Sequence, residues 1–387
     1  MNLLLTFTLD TSLKSWDNRG ILSRELALYR ILYQKGVKIS FLTYGDNSDL
    51  SYSSEIPNIN IIPISKYINS HLSIVQSLKI LFLPLRLKKI FLKADFIKTN
   101  QTLGGIVGVI AKLLYRKKYI VRAGYERLFN FMVKTKKKGI KNYIKYLVNY
   151  FKIYLNEFIV YRLADQIILT NEPDISFIIK RFNLKKKQRN NQIHLFYNFI
   201  DVNLFKPLNL SKKDKSVLYV GRLTYGKNLS NLINAFKNLD DYILDFIGNG
   251  PLEYDLRKLA EQVNPNINFL GLVSNEKLPN IINQYQLFII PSYFEGNPKA
   301  LLEAMSCGIS CIGSNIKGIN NIIQHKKNGY LCKLDSGSIR KAITTLYANH
   351  NLREEIADNA RKFILENCEL DSIVKKEYQL YKSILKK

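Results

Sequence analysis

The chain of 387 residues has few cysteines, few histidines and no long apolar run. Its four cysteines share no metal-ligand spacing and lie in apolar or helical surroundings, as expected of buried thiols in a reducing compartment. They are Cys307, Cys311, Cys332 and Cys368. Without a run of about 18 uninterrupted apolar residues, a membrane-spanning helix is not expected. The opening residues MNLLLTFTLD have no basic n-region and no small-residue cleavage site, so we interpret them as a first strand and expect a cytoplasmic protein.

Acidic residues are scarce relative to basic ones: 31 Asp and Glu stand against 58 Lys and Arg, a formal net charge of +27. Between Lys112 and Lys187 there are nineteen basic and five acidic residues, so about half of the excess lies in one fifth of the chain. Such a charge attracts nucleic acid, anionic lipid or anionic substrates. The alternative is the compositional bias of an AT-rich genome, because Lys, Asn, Ile and Tyr are all abundant.

Short apolar runs alternate with amphipathic stretches along both halves of the chain. This alternation predicts parallel sheets covered by helices, and the length suits two domains of roughly 190 residues. The predicted strands of the first half are Asn2–Thr8, Val37–Thr43, Asn60–Ile64, Phe96–Thr99, Lys118–Val121 and Gln166–Thr170, with helices at Arg19–Gln34, Ile74–Leu92 and Thr102–Tyr115. Those of the second half are Ser216–Val220, Ile243–Ile247, Ile267–Leu270, Leu287–Ile290 and Ser310–Gly313, with two or three helices after Asp335. The predicted fold class is α/β, with two Rossmann-like doubly wound domains.

A turn-rich segment, Tyr197–Pro207, leads into the polar stretch Asn209–Lys215 and is a candidate hinge. We therefore expect an N-terminal domain over residues 1–197 and a C-terminal domain over residues 198–370. The final helix, residues 371–387, is expected to pack back on the first domain.

The first motif with chemical content is Val220-Gly221-Arg222-Leu223-Thr224-Tyr225-Gly226-Lys227-Asn228. It follows a predicted strand and precedes a helix, so it lies at the carboxyl end of a parallel sheet, where such folds bind ligands. Arg222 offers a planar fork of donors, Lys227 a compact charge and the helix its positive N-terminus. This combination suits a diphosphate, although a solvated loop would also account for so short a string.

The second motif runs from Pro291 through Glu295-Gly296-Asn297-Pro298-Lys299 to Glu303-Ala304-Met305. Pro298 suits the first helical turn and Asn297 can act as its N-cap. Two carboxylates eight residues apart, Glu295 and Glu303, have no obvious structural purpose in this apolar run. One would bond ribose hydroxyls while the other faces a reacting sugar, unless both are ordinary acids near a helix start.

The string S-x2-E-G-x-P-x3-L-E-A-M-x-x-G resembles the E-x7-E signature of the large retaining glycosyltransferase family that includes bacterial sugar transferases and sucrose and glycogen synthases. Three further features match in order: Gly221-Arg222-Leu223 with Lys227-Asn228, the turn Gly248-Asn249-Gly250-Pro251, and Phe269–Val273. The linker resembles the family hinge with Phe199 in place of the usual glycine. The resemblance covers about Tyr197 to Cys332 and implies the GT-B fold, two Rossmann-like domains facing a cleft.

The resemblance also implies roles for single residues. Arg222 and Lys227 would hold the donor diphosphate and stabilise the leaving nucleotide, Glu303 would bind the ribose, and Glu295 would lie near the donor sugar, so Glu295, Arg222 and Lys227 are the catalytic candidates. The remaining donor-binding candidates are Gly221, Gly248, Leu272, Val273, Gly296, Asn297, Pro298, Lys299, Ala300 and Leu302. Leu272 and Val273 would present backbone groups to the base. No Asp-x-Asp motif is present, so we expect no metal and no other cofactor.

The N-terminal half matches the family less well. The candidate for its glycine-rich turn after the first strand is Trp16–Gly20, where Asn18, Arg19 and Gly20 would contact the acceptor or the donor phosphates unless this is turn chemistry alone. Histidines that many relatives carry after the middle strands are missing, and Arg122 is the candidate replacement for a sugar contact. His71, His194, His325 and His350 lie outside these loops.

Residues Phe131–Tyr161 place aromatic and aliphatic side chains at helical spacing beside lysines. This pattern is typical of a basic amphipathic helix at a membrane surface, and it suits a lipid-linked acceptor at the anionic inner leaflet. A helix packed on the sheet with solvated lysines is the alternative. Nucleic acid is not an expected partner, because no recognised binding motif accompanies the charge. The expected function is retaining transfer of a sugar from a UDP- or GDP-sugar to a glycan or lipid-linked acceptor; a catalytically silent scaffold and a nucleotide-sugar epimerase are the alternatives.

Overall fold

The computed structural model describes residues 1–67, 79–124, 126–138 and 143–386, with the backbone alone for residues 133–138. The chain divides into two compact units. One consists of Met1–Phe196 with Val374–Lys387, and the other of Tyr197–Ile373. Each unit is built on one parallel sheet, so the predicted fold class is confirmed.

The sheet of the first unit has the order β3-β2-β1-β4-β5-β6-β7. Its strands are β1 (Asn2–Thr6), β2 (Lys38–Thr43), β3 (Ile59–Pro63), β4 (Phe96–Thr99), β5 (Lys118–Ala123), β6 (Gln166–Leu169) and β7 (Ile193–Leu195). The described helices are α1 (Leu13–Asp17), α2 (Leu22–Gln34), α3 (Leu83–Arg86), α4 (Lys88–Lys93), α5 (Gly105–Tyr115), α6 (Arg127–Lys138), α7 (Tyr143–Leu163), α8 (Glu172–Phe182) and α9 (Lys185–Arg189), with 3₁₀ turns at Asn47–Ser54 and Ile64–Lys66. All the strand pairings are parallel, as expected when helices connect the strands.

The sheet of the second unit has the order β10-β9-β8-β11-β12-β13. Its strands are β8 (Ser216–Val220), β9 (Ile243–Ile247), β10 (Ile267–Phe269), β11 (Leu287–Ile290), β12 (Ser310–Ser314) and β13 (Tyr330–Cys332). Its helices are α10 (Leu229–Ala235), α11 (Glu253–Val263), α12 (Leu278–Ile282), α13 (Lys299–Ser306), α14 (Ser336–Ala348) and α15 (His350–Asn367), with a 3₁₀ turn at Tyr225–Lys227. The last helix, α16 (Leu370–Leu385), begins in the second unit and ends in the first.

Successive side chains of the central strands lie on opposite faces of the second sheet. On β8, Val217 and Tyr219 join one apolar cluster and Leu218 joins the other. On β11, Leu287 joins the cluster that contains Val217, and Phe288 joins the cluster that contains Leu218. A strand buried on both faces has no polar face, which is why these runs are continuously apolar in the sequence.

The predicted helix Arg19–Gln34 is wrong at its start. A separate helix α1 precedes it, because Ser12 caps α1 through reciprocal hydrogen bonds with Ser15, and Gly20 then turns the chain with φ of 65°. The predicted turn Trp16–Gly20 therefore joins two helices and does not directly follow β1.

Two other predicted helices are also interrupted. In the predicted helix Ile74–Leu92, residues 74–78 lie outside the described residues, and the rest contains helical residues 79–81 followed by two short helices, α3 and α4. Pro84 lacks an N–H and is tolerated only in a first helical turn, where α3 places it. In the predicted helix Phe131–Tyr161, residues 139–142 lie outside the described residues, and α6 and α7 flank them.

Two edge strands were not predicted, β7 and β13. Each has three residues and is only partly buried, so neither presents the apolar run by which the other strands were found. Within the described ranges, no helix is long and apolar enough to cross a bilayer.

Candidate functional site

The order of the second sheet reverses between β8 and β11, which are neighbours in space. After β8 the chain goes to β9 and β10 on one side, and after β11 it goes to β12 and β13 on the other. A crevice opens at the carboxyl ends of the strands at such a point, and it is where open α/β sheets bind ligands. The structure thus brings together the two motifs singled out in the sequence: the β8 loop, residues 221–228, and the β11 loop, residues 291–298.

The two loops are joined directly. The Tyr293 N–H donates to the Gly226 carbonyl at 2.9 Å, and the Asn228 side-chain amide donates to the Pro291 carbonyl at 3.1 Å. The Phe294 ring packs so closely on Gly226 that a Cβ there would lie 2.9 Å from it. The loops therefore form one preorganised surface.

An ion pair crosses this junction. Lys227 Nζ lies 2.5 Å from Glu295 Oε1, and the Ser292 hydroxyl donates to the same oxygen at 2.7 Å. Both charged side chains keep some solvent access, 25% for Lys227 and 12% for Glu295. The pair is thus held in one geometry and remains open to a ligand.

Arg222 supplies a second cation. Its side chain is exposed, and within the described residues its guanidinium has no ion-pair partner. Its backbone is fixed from behind, because the Tyr219 hydroxyl donates to the Arg222 carbonyl at 3.2 Å. Burial, and secondarily the charge of Glu295, raises the pKa of Tyr219 well above its ordinary value, so this hydroxyl remains a donor.

Helix α13 begins immediately after the β11 loop. Pro298 is its N-cap residue, and no side chain among the described residues caps it. The prediction that Asn297 is the N-cap was therefore wrong: the extended residue that starts the helix is Pro298, one position later. An N-terminus without a side-chain cap presents backbone N–H groups and a positive dipole end, both of which favour a bound anion.

Glu303 lies inside α13 and is almost fully buried, with 1% exposure. The Asn275 side-chain amide donates to Glu303 Oε1 at 3.0 Å. Asn275 follows Leu272 and Val273 in the loop after β10. Glu303, which is predicted to bind ribose, is therefore held by the loop that is predicted to contact the base. Leu272 is half exposed, at 51%.

Two glycines permit the close approach of neighbouring loops. Gly248, with φ of 132°, passes so near the β8 loop that a Cβ would lie 2.1 Å from the Gly221 carbonyl oxygen. Gly318, with φ of 94°, would place a Cβ 2.2 Å from the Glu295 carbonyl oxygen. Any side chain at either position would displace a loop of the site.

The linker also touches the β11 loop. The Asn198 amide donates to the Asn297 carbonyl at 2.7 Å, and Lys299 Nζ lies 4.4 Å from the centre of the Phe199 ring. Phe199, which replaces the usual glycine of the family hinge, is thus a packing partner of a predicted donor residue. Of the remaining predicted donor residues, Gly296 and Ala300 are partly buried at the junction, whereas the Leu302 side chain belongs to the apolar core.

The residues predicted for the acceptor side lie in the first unit. Asn18 and Arg19 are exposed at the turn between α1 and α2, which Gly20 completes. Arg122 is 8% exposed, and its guanidinium forms an ion pair with the carboxylate of Glu377 on α16.

The three described histidines lie outside the β8–β11 junction. His194 Nε2 lies 2.7 Å from Gln166 Oε1, His325 Nδ1 accepts from the Leu331 N–H, and His350 starts α15. His71 lies outside the described residues. All four cysteines are buried, and the described residues contain no group of three or more metal-ligating side chains.

Sequence reasoning missed Asn275, Ser292 and Asn198 as parts of the site. Ser292 lies in the second sequence motif, and its position three residues before Glu295 is the signal that could have identified it as part of the site. Asn275 and Asn198 carry no such signal, because their partners lie 28 and 99 residues away along the chain.

Comparison with known proteins finds similarity to glycosyltransferases. Residues 202–363 match the family of glycosyl transferases, group 1. An uncharacterized glycosyltransferase of Methanocaldococcus jannaschii is 28% identical over 301 residues, covering 74% of this chain and 73% of the relative. The UDP-Gal:alpha-D-GlcNAc-diphosphoundecaprenol alpha-1,3-galactosyltransferase of Escherichia coli is 26% identical over 308 residues, covering 75% of each chain.

Sucrose-phosphate synthase of Thermosynechococcus elongatus has the same fold, with a TM-score of 0.78 at 18% identity over 99% of both chains. The chain therefore has the GT-B fold, and the sequence relatives named above are glycosyltransferases. Its residues 202–363 belong to the glycosyl transferases of group 1, and the family resemblance inferred from the sequence is confirmed.

Proposed function

We propose that this protein transfers a hexose-type sugar from a UDP- or GDP-sugar to a glycan or lipid-linked acceptor, with retention of the anomeric configuration and without a metal ion. The observation that carries the proposal is the convergence of Lys227, Arg222 and the α13 N-terminus at the β8–β11 junction. These are the groups that a nucleoside diphosphate requires.

The chemical step breaks the bond between the anomeric carbon and the diphosphate oxygen and forms a bond from that carbon to the acceptor oxygen, while the proton of the acceptor hydroxyl passes to the departing diphosphate. Negative charge develops on the departing diphosphate. Arg222 and Lys227 would neutralise it, and preorganised charges of this kind supply most of the rate enhancement in many enzymes. Glu295 would hold Lys227 in place and lie beside the sugar, while Glu303 would accept from the ribose hydroxyls.

The similarity to the galactosyltransferase from Escherichia coli supports UDP as the first nucleotide to test and a diphospholipid-linked glycan as the acceptor class. The first unit would bind that acceptor, with Asn18, Arg19, Gly20 and Arg122 as its candidate contacts. The proposed setting is assembly of a bacterial surface polysaccharide. The protein would work in the cytoplasm, peripherally at the inner face of the membrane, through the basic segment Phe131–Tyr161.

Binding is tested by thermal shift with UDP, GDP and ADP in the presence of a chelator, because a ligand of the native state raises the melting temperature. K227A should weaken binding of the active nucleotide roughly 10- to 100-fold, the loss expected for a hydrogen bond between charged groups. K227A should reduce transfer to roughly 1% or less. E303A should do so at donor concentrations below the KM, because loss of the ribose contact raises the KM. The matched controls are K258A and E261A, at exposed positions of α11.

Normal transfer rates in K227A or E303A would refute the site assignment. A chain that binds a nucleotide but transfers no sugar would support the silent scaffold instead. Epimerised nucleotide-sugar in the absence of an acceptor would support the epimerase.

A further inference from the structure

Helix α7 has an aromatic inner face. Tyr146, Tyr150, Tyr154 and Phe158 follow one another at four-residue spacing, and their ring centroids are 6.0 to 6.2 Å apart. The guanidinium of Arg181 on α8 lies over Tyr150 and Tyr154, at 5.5 and 5.2 Å from the ring centres. This aromatic face packs α7 against the rest of the first unit.

A second face of α7 is apolar and exposed. Ile144, Val148, Phe151 and Leu155 have exposed fractions of 76%, 47%, 62% and 55%. Their spacing of four, three and four residues places them in one row along the helix, which we call the α7 ridge. The ridge is about 17 Å long at 1.5 Å per residue. Large apolar side chains exposed in a row mark a surface that contacts an apolar partner.

The charge around the α7 ridge indicates which class of partner it contacts. Residues 127–163 contain nine Lys or Arg and one acidic residue, Glu157, a net charge of +8. Lys145 and Lys152 are exposed on α7, whereas Glu157 is fully buried. A second copy of so basic a hairpin would be repelled, and a nucleic acid would leave the ridge in water. An anionic bilayer offers apolar chains beneath negative headgroups.

We infer that the α7 ridge inserts into the acyl boundary of an anionic membrane while Lys145 and Lys152 of α7 contact the headgroups. The inference deepens the proposed function and rests on it for the lipid-linked acceptor. It also assigns the contact to the α7 ridge and not to the row of Tyr146, Tyr150, Tyr154 and Phe158, which packs against the rest of the first unit.

The base of this helical hairpin lies at the carboxyl edge of the first sheet. The Glu157 carboxylate accepts from the backbone N–H groups of Arg127 and Leu128 and from the Thr102 hydroxyl, in the segments that follow β5 and β4. Leu155, the last ridge residue, is two positions from Glu157. A bilayer that holds the ridge therefore lies beside the edge where parallel sheets bind ligands, within reach of a lipid-linked acceptor.

The test is sedimentation of the full chain with vesicles of phosphatidylcholine containing about one third phosphatidylglycerol, at low and at physiological ionic strength. The wild type should bind, and F151S/L155S should bind about tenfold more weakly or worse, because two apolar side chains no longer enter the lipid. The matched control is L113S/L114S on α5, whose side chains are 64% and 48% exposed. Melting temperatures of all three proteins establish that each is folded.

Binding by the wild type and the control, with loss in F151S/L155S, supports the inference. No binding by the wild type overturns it, and so does equal binding by all three proteins or an equal loss in the control. A dimer of the wild type that F151S/L155S dissociates would replace the membrane by a second copy and would also overturn it. A chain that binds vesicles but transfers no sugar refutes the proposed function and leaves this inference standing.

Discussion

The buried ion cluster between α16 and the first sheet offers a sharp test of what the C-terminal segment contributes to stability. Glu377 is fully buried and receives two cations: Lys98 Nζ at 2.5 Å, and the guanidinium of Arg122. Tyr381 also hydrogen bonds to Glu377 and accepts from Lys98 at 3.0 Å. The substitution E377Q keeps the shape of the side chain but removes its charge, leaving a buried ammonium without its counterion.

Breaking a buried ion pair on one side costs about 3–5 kcal/mol. In a unit of roughly 200 residues each kcal/mol shifts the melting temperature by about 2–4 °C, so we expect a loss of roughly 10 °C. Burial lowers the pKa of Lys98 to about 8 even beside Glu377, and without Glu377 the pKa falls further. As the pH rises, Lys98 therefore loses its proton at a lower pH in the folded variant than in the folded wild type, and this removes the unpaired charge. The difference in free energy of unfolding between the wild type and the variant should accordingly be smaller at about pH 9 than at about pH 6.

Urea unfolding at both pH values, with calorimetry alongside, measures the effect. E366Q is the matched control, because Glu366 is exposed on α15 and its neutralisation should change the free energy of unfolding by no more than about 0.5 kcal/mol. K98M/E377Q should be less destabilised than the sum of its single variants, since the stranded charge is removed. This account of the cluster would be refuted by an E377Q variant as stable as E366Q. It would also be refuted if the loss of free energy of unfolding caused by E377Q grew as the pH rises.

Two further predictions concern buried hydrogen bonds. N275A should raise the KM for the donor about tenfold with a smaller change in kcat, because in the proposed site Asn275 holds Glu303 against ribose hydroxyls that would be bound in both the ground and transition states. A dideoxyribose analogue of the active nucleotide should bind the wild type and N275A equally. An N275A variant that prefers the nucleotide over this analogue as strongly as the wild type does would contradict the role. Burial raises the pKa of Glu157 to about 7 from 4.5, so ionised Glu157 penalises the folded state alone and the free energy of unfolding should fall as the pH rises from 4.5 to about 7. E157Q should lack this fall in urea titrations across that range, and identical slopes would show that another group titrates.

Much of the proposed donor site is determined locally by the sequence. A strand buried on both faces must be apolar throughout, and a phosphate-binding turn after it needs glycine and cationic side chains, so the β8 and β11 loops stand out in the chain from Val220 to Asn228 and from Pro291 to Glu303. Strands β4, β8, β9 and β11 have the predicted bounds for the same reason. The predicted starts of the helices were less accurate, because a capping serine, a proline or a glycine with positive φ sets the observed start several residues from the predicted one.

Tertiary structure alone decided which of these groups meet. Lys227 and Glu295 are 68 residues apart and Arg122 and Glu377 are 255 apart, and no periodicity along the chain encodes a pair at such distance. The same holds for α7, where apolar residues occur on two faces and the sequence alone did not distinguish them. Only the packing of the aromatic face against α8 shows that the α7 ridge is the exposed one, because burial depends on the neighbours that folding brings to each face.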